Sequence, residues 1–129
     1  MIVLDASVVV ELLTNGILAD SIRRDLAGRD DSFAAPHLLD IEVMSALRNL
    51  AAGQRIDSHR TEQLLQELEA LPVERYGHMP LFQRIWELRH NFTAYDAAYI
   101  ALAEAMGAKL YTCDEKLSTG HRAKVVVFR

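Results

Sequence analysis

The chain has 129 residues, of which 50% are hydrophobic and 25% are charged, and this composition predicts one folded domain spanning residues 1–129. Its 14 basic and 18 acidic side chains give a formal net charge of −4, which argues against a protein that holds nucleic acid by bulk positive charge. The single cysteine, Cys113, excludes an internal disulfide and any cysteine-based zinc or iron–sulfur site.

No apolar run approaches the ~20 residues that a membrane span requires, because Glu11, Glu42 and Glu104 interrupt the best candidates. The first residues also lack a basic leader followed by a cleavable apolar segment. We therefore expect a cytoplasmic protein with no membrane partner.

The first half of the chain predicts, in order, a strand, two helices, a strand and two more helices. The apolar run Ile2–Leu4 predicts the first strand, and residues 32–35, ended by Pro36, predict the second. Apolar periodicity predicts helices over residues 8–13, 18–26 and 37–52, ended by Asn15-Gly16, Gly28 and Gly53, and over residues 58–71, capped by Asp57 or Ser58.

The second half continues the alternation. It predicts strands at Val73–Tyr76, Lys109–Thr112 and residues 124–128, and a short helical turn at Glu115–Ser118. Pro80 suits the first turn of a helix whose apolar face comprises Leu81, Phe82, Ile85 and Trp86. Residues 95–106 are apolar almost all round and predict a buried helix ended by Gly107.

This alternation predicts an α/β fold with a parallel sheet flanked by helices on both faces. In such sheets the chemistry gathers beyond the carboxyl ends of the strands. Asp5 and Asp114 lie just beyond the carboxyl ends of two predicted strands, Asp96 opens the buried helix, and Glu42 lies at the edge of an apolar helix face. We therefore expect these four carboxylates to converge.

Each of the acids also has a purely structural interpretation. Thr93-x-x-Asp96 and Thr112-x-x-Glu115 match the capping box, and Asp5 or Ser7 could cap the first helix. Helix capping does not explain why all four acids should converge. Two carboxylates about 6 Å apart repel by roughly 3 kcal/mol at an effective dielectric of 20, so four of them together require protons or cations. Oxygen ligands without cysteine or paired histidines favour Mg²⁺ or Mn²⁺, and a pair of such ions suits in-line phosphodiester cleavage.

Four segments carry a resemblance to a known family: Leu4-Asp5-Ala6-Ser7, the helix from Pro36 through Glu42-Val43 to Leu47, residues 95–103 (YDAAYIALA) and residues 111–117 (YTCDEKL). Together they resemble the PIN domains, and more closely the VapC-type toxins of bacterial and archaeal toxin–antitoxin pairs. The resemblance runs from the first residues to the last strand, with no departure at the four acidic positions.

The resemblance implies a five-stranded parallel sheet and a Mg²⁺-dependent endoribonuclease that cleaves RNA by metal-activated water, with Mn²⁺ as a substitute ion. Its metal-binding and catalytic residues would be Asp5, Glu42, Asp96 and Asp114, with Ser7 and Thr112 as polar support. It also implies a homodimer, an RNA substrate such as transfer RNA, and a VapB-like antitoxin. We expect the antitoxin tail to lie in the active-site groove and to bring a cation, such as an arginine, to the acids.

Other functions fit the sequence less well. A response-regulator receiver needs adjacent acids after the first strand, and a haloacid-dehalogenase-type phosphatase needs D-x-D there, whereas Asp5 stands alone and position seven is Ser7. A more serious alternative is a non-catalytic PIN-like module that binds RNA or protein.

Several further residues could be misread as functional. Cys113 has no evident histidine base, and the five histidines lack paired metal-ligand spacing, although His37 precedes the helix that carries Glu42. Phe82 and Trp86 lie on a helical stripe, which favours core or dimer packing over base stacking. Basic residues that could contact phosphate are Arg48, Arg55, Arg84, Arg89, Lys116 and Arg122.

Overall fold

The computed structural model describes the whole chain, residues 1–129, as an α/β domain. The strands are β1 (Ile2–Leu4), β2 (Phe33–Pro36), β3 (Val73–Tyr76), β4 (Lys109–Thr112) and β5 (Val125–Val127). The helices are α1 (Ala6–Thr14), α2 (Ala19–Leu26), α3 (Leu38–Ala52), α4 (Ser58–Ala70), α5 (Phe82–Glu87) and α6 (Ala94–Met106), with 3₁₀ turns at Met79–Leu81 and Glu115–Ser118. All five predicted strands and all six predicted helices are present.

The sheet has the strand order β3-β2-β1-β4-β5, and every pairing is parallel. The chain first builds outward from β1 through β2 to β3, and then returns to place β4 on the other side of β1. The strand order therefore reverses between β1 and β4, and ligands of open parallel sheets bind at such a reversal. Asp5 follows β1 and Asp114 follows β4, so both lie at this point.

Helices cover both faces of the sheet, which confirms the predicted architecture. The three residues of β1 are at most 3% exposed, and because side chains of a strand alternate between faces, both faces must be covered. Helix α6 carries seven consecutive buried residues, from Ala97 to Ala103, as its apolar pattern predicts. This helix is the centre of the core and fixes the position of Asp96 at its first turn.

Local signals in the sequence set several helix ends. The Asp57 side chain accepts a hydrogen bond from the Arg60 amide (2.7 Å) at the start of α4, and the Thr93 hydroxyl accepts one from the Asp96 amide (3.1 Å) at the start of α6. Gly107 ends α6 in the left-handed conformation, with φ of 60°. These three ends agree with the predictions.

Two predicted boundaries are wrong. Pro36 does not stop β2 but forms its last residue, opposite Tyr76. Its missing N–H does no harm there, since the next amide, that of His37, donates to the Tyr76 carbonyl (2.9 Å). Gly28 does not cap α2, because Ala27 already ends that helix with a right-handed φ of −67°.

The region around α5 differs most from the sequence interpretation. Pro80 lies in the 3₁₀ turn Met79–Leu81, and α5 begins only at Phe82. Phe82 and Trp86 are each 64% exposed, so of the two predicted roles, packing in the core or in a dimer, the first is wrong and the second stays a prediction. No residue of the short helix α5 is fully buried, and the helix presents its two aromatic side chains to solvent.

No helix in the structure has both the length and the apolar character that a membrane span requires.

Candidate active site

Asp5 is the most buried acid of the site and is 6% exposed. Its Oδ1 accepts hydrogen bonds from the Val8 amide (3.1 Å), as the N-cap of α1, and from the Ser7 hydroxyl (2.5 Å). Its Oδ2 accepts one from the Thr112 hydroxyl at the end of β4. A carboxylate offers about four acceptor positions, so these three bonds leave one for a further ligand.

The two hydroxyl groups that donate to Asp5 also tie it to the turn after β4. Ser7 Oγ accepts from the Cys113 amide (2.9 Å), and Thr112 Oγ1 accepts from the Asp114 amide (2.9 Å). Each hydroxyl thus donates to Asp5 while it accepts from a backbone amide of the neighbouring strand end. The carboxylate of Asp5 is fixed in orientation by this arrangement, and the backbone of Asp114 is fixed beside it.

No cation lies within ion-pair distance of Asp5, since every donor to it is a neutral hydroxyl or amide. Burial raises the pKa of the Asp5 carboxyl above its ordinary value, and the negative charge of Asp96 raises it further. The hydrogen bonds from Ser7 and Thr112 oppose the rise of this pKa but do not cancel it. Asp5 is therefore a buried carboxylate without charge compensation.

Asp96 is the third residue of α6 and is half-buried. Burial raises the pKa of its carboxyl, and repulsion by Asp114 raises it further, while the Thr93 side chain and Lys116 lower it. Its amide donates to Thr93, so the capping interpretation holds for the backbone of Asp96. The carboxylate nevertheless faces two other acids, Asp5 and Asp114, whose charges it senses.

Asp114 has a second, local role. Its Oδ1 accepts from the Lys116 amide (2.9 Å) and caps the 3₁₀ turn Glu115–Ser118. The capping box predicted for Thr112 and Glu115 is therefore wrong, because Thr112 turns its hydroxyl to Asp5 and Asp114 takes the cap position.

Glu42 reaches the site from α3 and is held there by Tyr99 of α6. The Tyr99 hydroxyl donates to Glu42 Oε1 at 2.7 Å, across 57 residues of sequence. Burial, Glu42, Asp5 and Asp96 all raise the pKa of this hydroxyl above its ordinary value, so it keeps its proton. Tyr99 thus adjoins three of the four predicted acids. The spacing of three residues puts Tyr99 on the same helix face as Asp96, but nothing in the sequence signals its contact with Glu42.

The four predicted acids therefore lie at the same edge of the sheet, but in an open arrangement and not as the converging group that the sequence predicts. No three of the His, Cys, Asp and Glu side chains stand close enough together to hold a metal ion as they are placed. The donor set consists of carboxylates and hydroxyls, which suits a hard divalent cation. The free acceptor position and unbalanced charge of Asp5 fit the same kind of ion.

Cys113 is half-buried beside Asp5, and burial raises the pKa of its thiol, as do the charges of Asp5 and Glu11. A thiol kept protonated in this way is a poor nucleophile. This agrees with the expectation that Cys113 is not catalytic.

Some of the basic candidates for phosphate binding contact other side chains of the chain, and one lies beside the acids. Arg84 and Arg122 both contact Glu104, away from the acids. Arg89 stacks on Trp86, 4.4 Å from the ring centroid. Lys116 is exposed and close enough to Asp96 to lower its pKa, so of these cations it is the one placed beside the acids.

Comparison with known proteins gives concordant results at the levels of sequence and fold. Residues 2–120 match the PIN domain family. The chain is 42% identical over 124 residues to the VapC ribonuclease Mb0985 of Mycobacterium bovis, covering 96% of this chain and 94% of that protein.

Two solved structures share the fold. The chain superimposes on PAE2754 from Pyrobaculum aerophilum with a TM-score of 0.73 and 23% identity, covering 95% of this chain and 86% of that one. It superimposes on a chain of VapBC2 from Rickettsia felis, bound to a DNA fragment from their promoter, with a TM-score of 0.73 and 14% identity over 100% of both chains.

Proposed function

We propose that this chain, which belongs to the PIN domain family, is a metal-dependent endoribonuclease of the VapC type that acts as the toxin of a toxin–antitoxin pair. The ribonuclease name of a relative that is 42% identical over almost the full length supports the activity. The observation that carries the proposal is the pair of carboxylates Asp5 and Asp96 at the strand-order reversal, which have raised pKa values and form no ion pair, although Lys116 lies near Asp96.

The proposed metal ion is Mg²⁺, with Mn²⁺ as a substitute, because the available ligands are hard oxygen atoms. Asp5, Glu42, Asp96 and Asp114 would hold it. When bound, such a cation neutralises charge on the scissile phosphate and lowers the pKa of water. Ser7 and Thr112 keep Asp5 in one orientation, and α6 holds Asp96 opposite it.

We propose direct hydrolysis without a covalent enzyme intermediate. The site offers no activated nucleophile, since the Cys113 thiol is kept protonated and no histidine contacts it. A Cys113→Ser variant should cleave RNA at the wild-type rate. Loss of cleavage in that variant, with the circular dichroism spectrum unchanged, would restore the thiol as a candidate nucleophile.

The central experiment is cleavage of labelled RNA by the purified chain in Mg²⁺, in a chelator, and after Mg²⁺ is restored. Asp5→Asn, purified in parallel, controls for contaminating nucleases. Asp40→Asn is the matched control, because Asp40 pairs with Arg75 (2.9 Å) and lies outside the acidic site. Cleavage that survives chelation but is lost in Asp5→Asn contradicts the metal dependence. Cleavage that Asp5→Asn retains in full comes from a contaminating nuclease and favours a non-catalytic binding module.

We also propose a VapB-like antitoxin, encoded with this chain, whose tail enters the active-site groove and delivers a cation, such as an arginine, to the acids. The unbalanced carboxylates support this, as does the fold shared with VapBC2 of Rickettsia felis. Expression of the chain alone in the cytoplasm, where RNA is available, should arrest growth, and the antitoxin should relieve the arrest. Active enzyme that leaves growth unaffected contradicts the toxin role.

The proposed RNA substrate is a structured RNA, with transfer RNA the first to test. Sequencing of new 5′ ends after induction identifies the molecules that are cut. Ends scattered over all RNA classes would contradict a structured target.

The homodimer remains a proposal, for which the exposed aromatic residues Phe82, Trp86 and Tyr95 offer a surface. They line a groove of about 610 Å³ together with Pro36, His37, His78 and further residues of α3, α5 and α6. Exposed apolar surface of this kind favours association with another protein surface. Phe82→Ser/Trp86→Ser should sediment as a monomer, whereas Ile17→Ser, at an isolated side chain that is 97% exposed, should behave as wild type.

A further inference from the structure

Tyr99 is a buried tyrosine whose only polar atom contacts an acid of the site. Its side chain is 2% exposed, and its hydroxyl donates to Glu42 Oε1 at 2.7 Å. The bond joins α3 to α6, the two helices that bring Glu42 and Asp96 to the carboxyl edge of the sheet.

This hydrogen bond is the one contact that fixes the Glu42 carboxylate. Glu42 forms no ion pair, and no other side chain or backbone group donates a hydrogen bond to it. A glutamate has three rotatable side-chain bonds, so its carboxylate samples many positions unless a partner holds it. The bond to Tyr99 occupies Oε1 and leaves Oε2 without a donor from the protein.

The hydroxyl of Tyr99 also lies close enough to Asp5 and Asp96 to sense both charges. A side chain that only filled the core at position 99 would not need a hydroxyl, because phenylalanine fills nearly the same space. A neutral donor here satisfies one oxygen of Glu42 without cancelling the negative charge of the site. An arginine at the same place would cancel it.

We propose that Tyr99 is a positioning residue that holds Glu42 beside Asp5 and Asp96 and keeps its Oε2 free to bind a divalent cation. This inference rests on the proposed function, because it requires Glu42 to be a metal ligand. Tyr99 itself touches neither the metal nor the RNA and acts through Glu42.

A second tyrosine of the same chain provides a matched control. Tyr111 is fully buried, and its hydroxyl donates to the Asp25 carboxylate of α2, away from the four acids. Tyr99→Phe and Tyr111→Phe therefore each remove one buried hydroxyl from one carboxylate. Only the first of them removes it at the proposed metal site.

The test measures binding of Mn²⁺ alone, without RNA, by isothermal titration calorimetry to wild type, Tyr99→Phe, Tyr111→Phe and Glu42→Gln. Loss of a hydrogen bond to a metal ligand typically lowers metal affinity 10- to 100-fold, so we expect about a tenfold loss in Tyr99→Phe. Tyr111→Phe should bind Mn²⁺ as wild type does, even if its thermal midpoint falls by the same amount. Equal affinities of the two tyrosine variants contradict the inference.

The double variant Tyr99→Phe/Glu42→Gln distinguishes action through Glu42 from a general structural effect. If Tyr99 acts through Glu42, the double variant binds Mn²⁺ no more weakly than Glu42→Gln alone. Additive losses contradict the inference and indicate distortion of the fold. Failure of wild type to bind Mn²⁺ overturns the proposed function and this inference together, whereas wild-type affinity in Tyr99→Phe alone overturns only the role of Tyr99.

Discussion

Two carboxylates of this chain with little side-chain exposure, Glu104 and Asp5, have opposite surroundings. The Glu104 side chain is 7% exposed and receives a fork of two hydrogen bonds from Arg84 (2.7 and 3.0 Å) and one from the Arg122 amide (2.8 Å). These partners lower the pKa of Glu104 to about 2. Asp5 is buried more deeply but receives only neutral donors, and its pKa is raised.

The presence or absence of a cationic partner distinguishes a carboxylate that stabilises the fold from one that is available to bind a ligand. Glu104, with its arginine partner, is fully satisfied, and the pair holds α5 against the end of α6. A buried carboxylate without a cation costs stability and is retained where a charged ligand can supply what the protein does not. The other carboxylates beside Asp5 add to that cost, and none of them offsets it.

The largest expected effect is on catalysis, at the uncompensated carboxylate. Asp5→Asn keeps the size of the side chain but removes its charge, so RNA cleavage should fall by roughly 100- to 1,000-fold, as when one charge-stabilising group is lost from an active site. Glu104→Gln should cleave at close to the wild-type rate when both are assayed well below their thermal midpoints. Equal losses of cleavage in the two variants would show that the lack of a cationic partner does not mark the active-site carboxylate.

The next effect is on stability, at the compensated carboxylate. Arg84→Met leaves Glu104 buried with only Arg122 nearby, and this should lower the free energy of unfolding by about 2 kcal/mol in urea denaturation. Arg84→Met/Glu104→Leu should recover most of the loss, because no charge then remains buried. Arg48→Met, at an exposed residue without an ion pair, is the control and should unfold as wild type.

A smaller effect of opposite sign is expected at Asp96. Asp96→Asn relieves repulsion by Asp114, so the metal-free variant should be more stable than wild type by about 1 kcal/mol, a value reduced because Asp96 is only half-buried. Mg²⁺ should raise the thermal midpoint of wild type more than that of the variant.

Asp57→Asn is the matched control for Asp96→Asn. Asp57 also serves at a helix start, where asparagine caps as well as aspartate, so its response to Mg²⁺ should equal that of wild type. A destabilised Asp96→Asn with a wild-type response to Mg²⁺ would reduce Asp96 to a helix-start residue.

The smallest expected effect is on how stability depends on pH, because Glu104 and Asp5 should contribute with opposite signs. Because the pKa of Glu104 is lowered to about 2, its contribution to stability is complete above about pH 4.5 and is lost as the pH falls toward 2. The raised pKa of Asp5 acts in reverse, so that the metal-free protein loses stability as the pH rises through that pKa. Unfolding of Glu104→Gln and Asp5→Asn, each compared with wild type across pH, should give differences of opposite slope; slopes of the same sign contradict the contrast between the two sites.

Local sequence determined the elements and half of the site. Apolar periodicity and helix caps act over a few residues, which is why the strands, α4 and α6 were predictable within a residue or two. Asp5 and Asp114 were predictable as neighbours because a parallel sheet aligns the carboxyl ends of its strands, so position in the chain implies position in space.

Only the tertiary structure determined which hydrogen-bond and ion-pair partners the carboxylates have. The bonds from Tyr99 to Glu42 and from Thr112 to Asp5 join residues 57 and 107 apart, and no local pattern encodes them. The choice of Arg84 as partner of Glu104, and the exposure of Trp86, also depend on how α5 lies against α6. Whether a carboxylate is neutralised or left as a ligand depends on which side chains the packed helices bring within about 3 Å of it, and that is set by the fold as a whole.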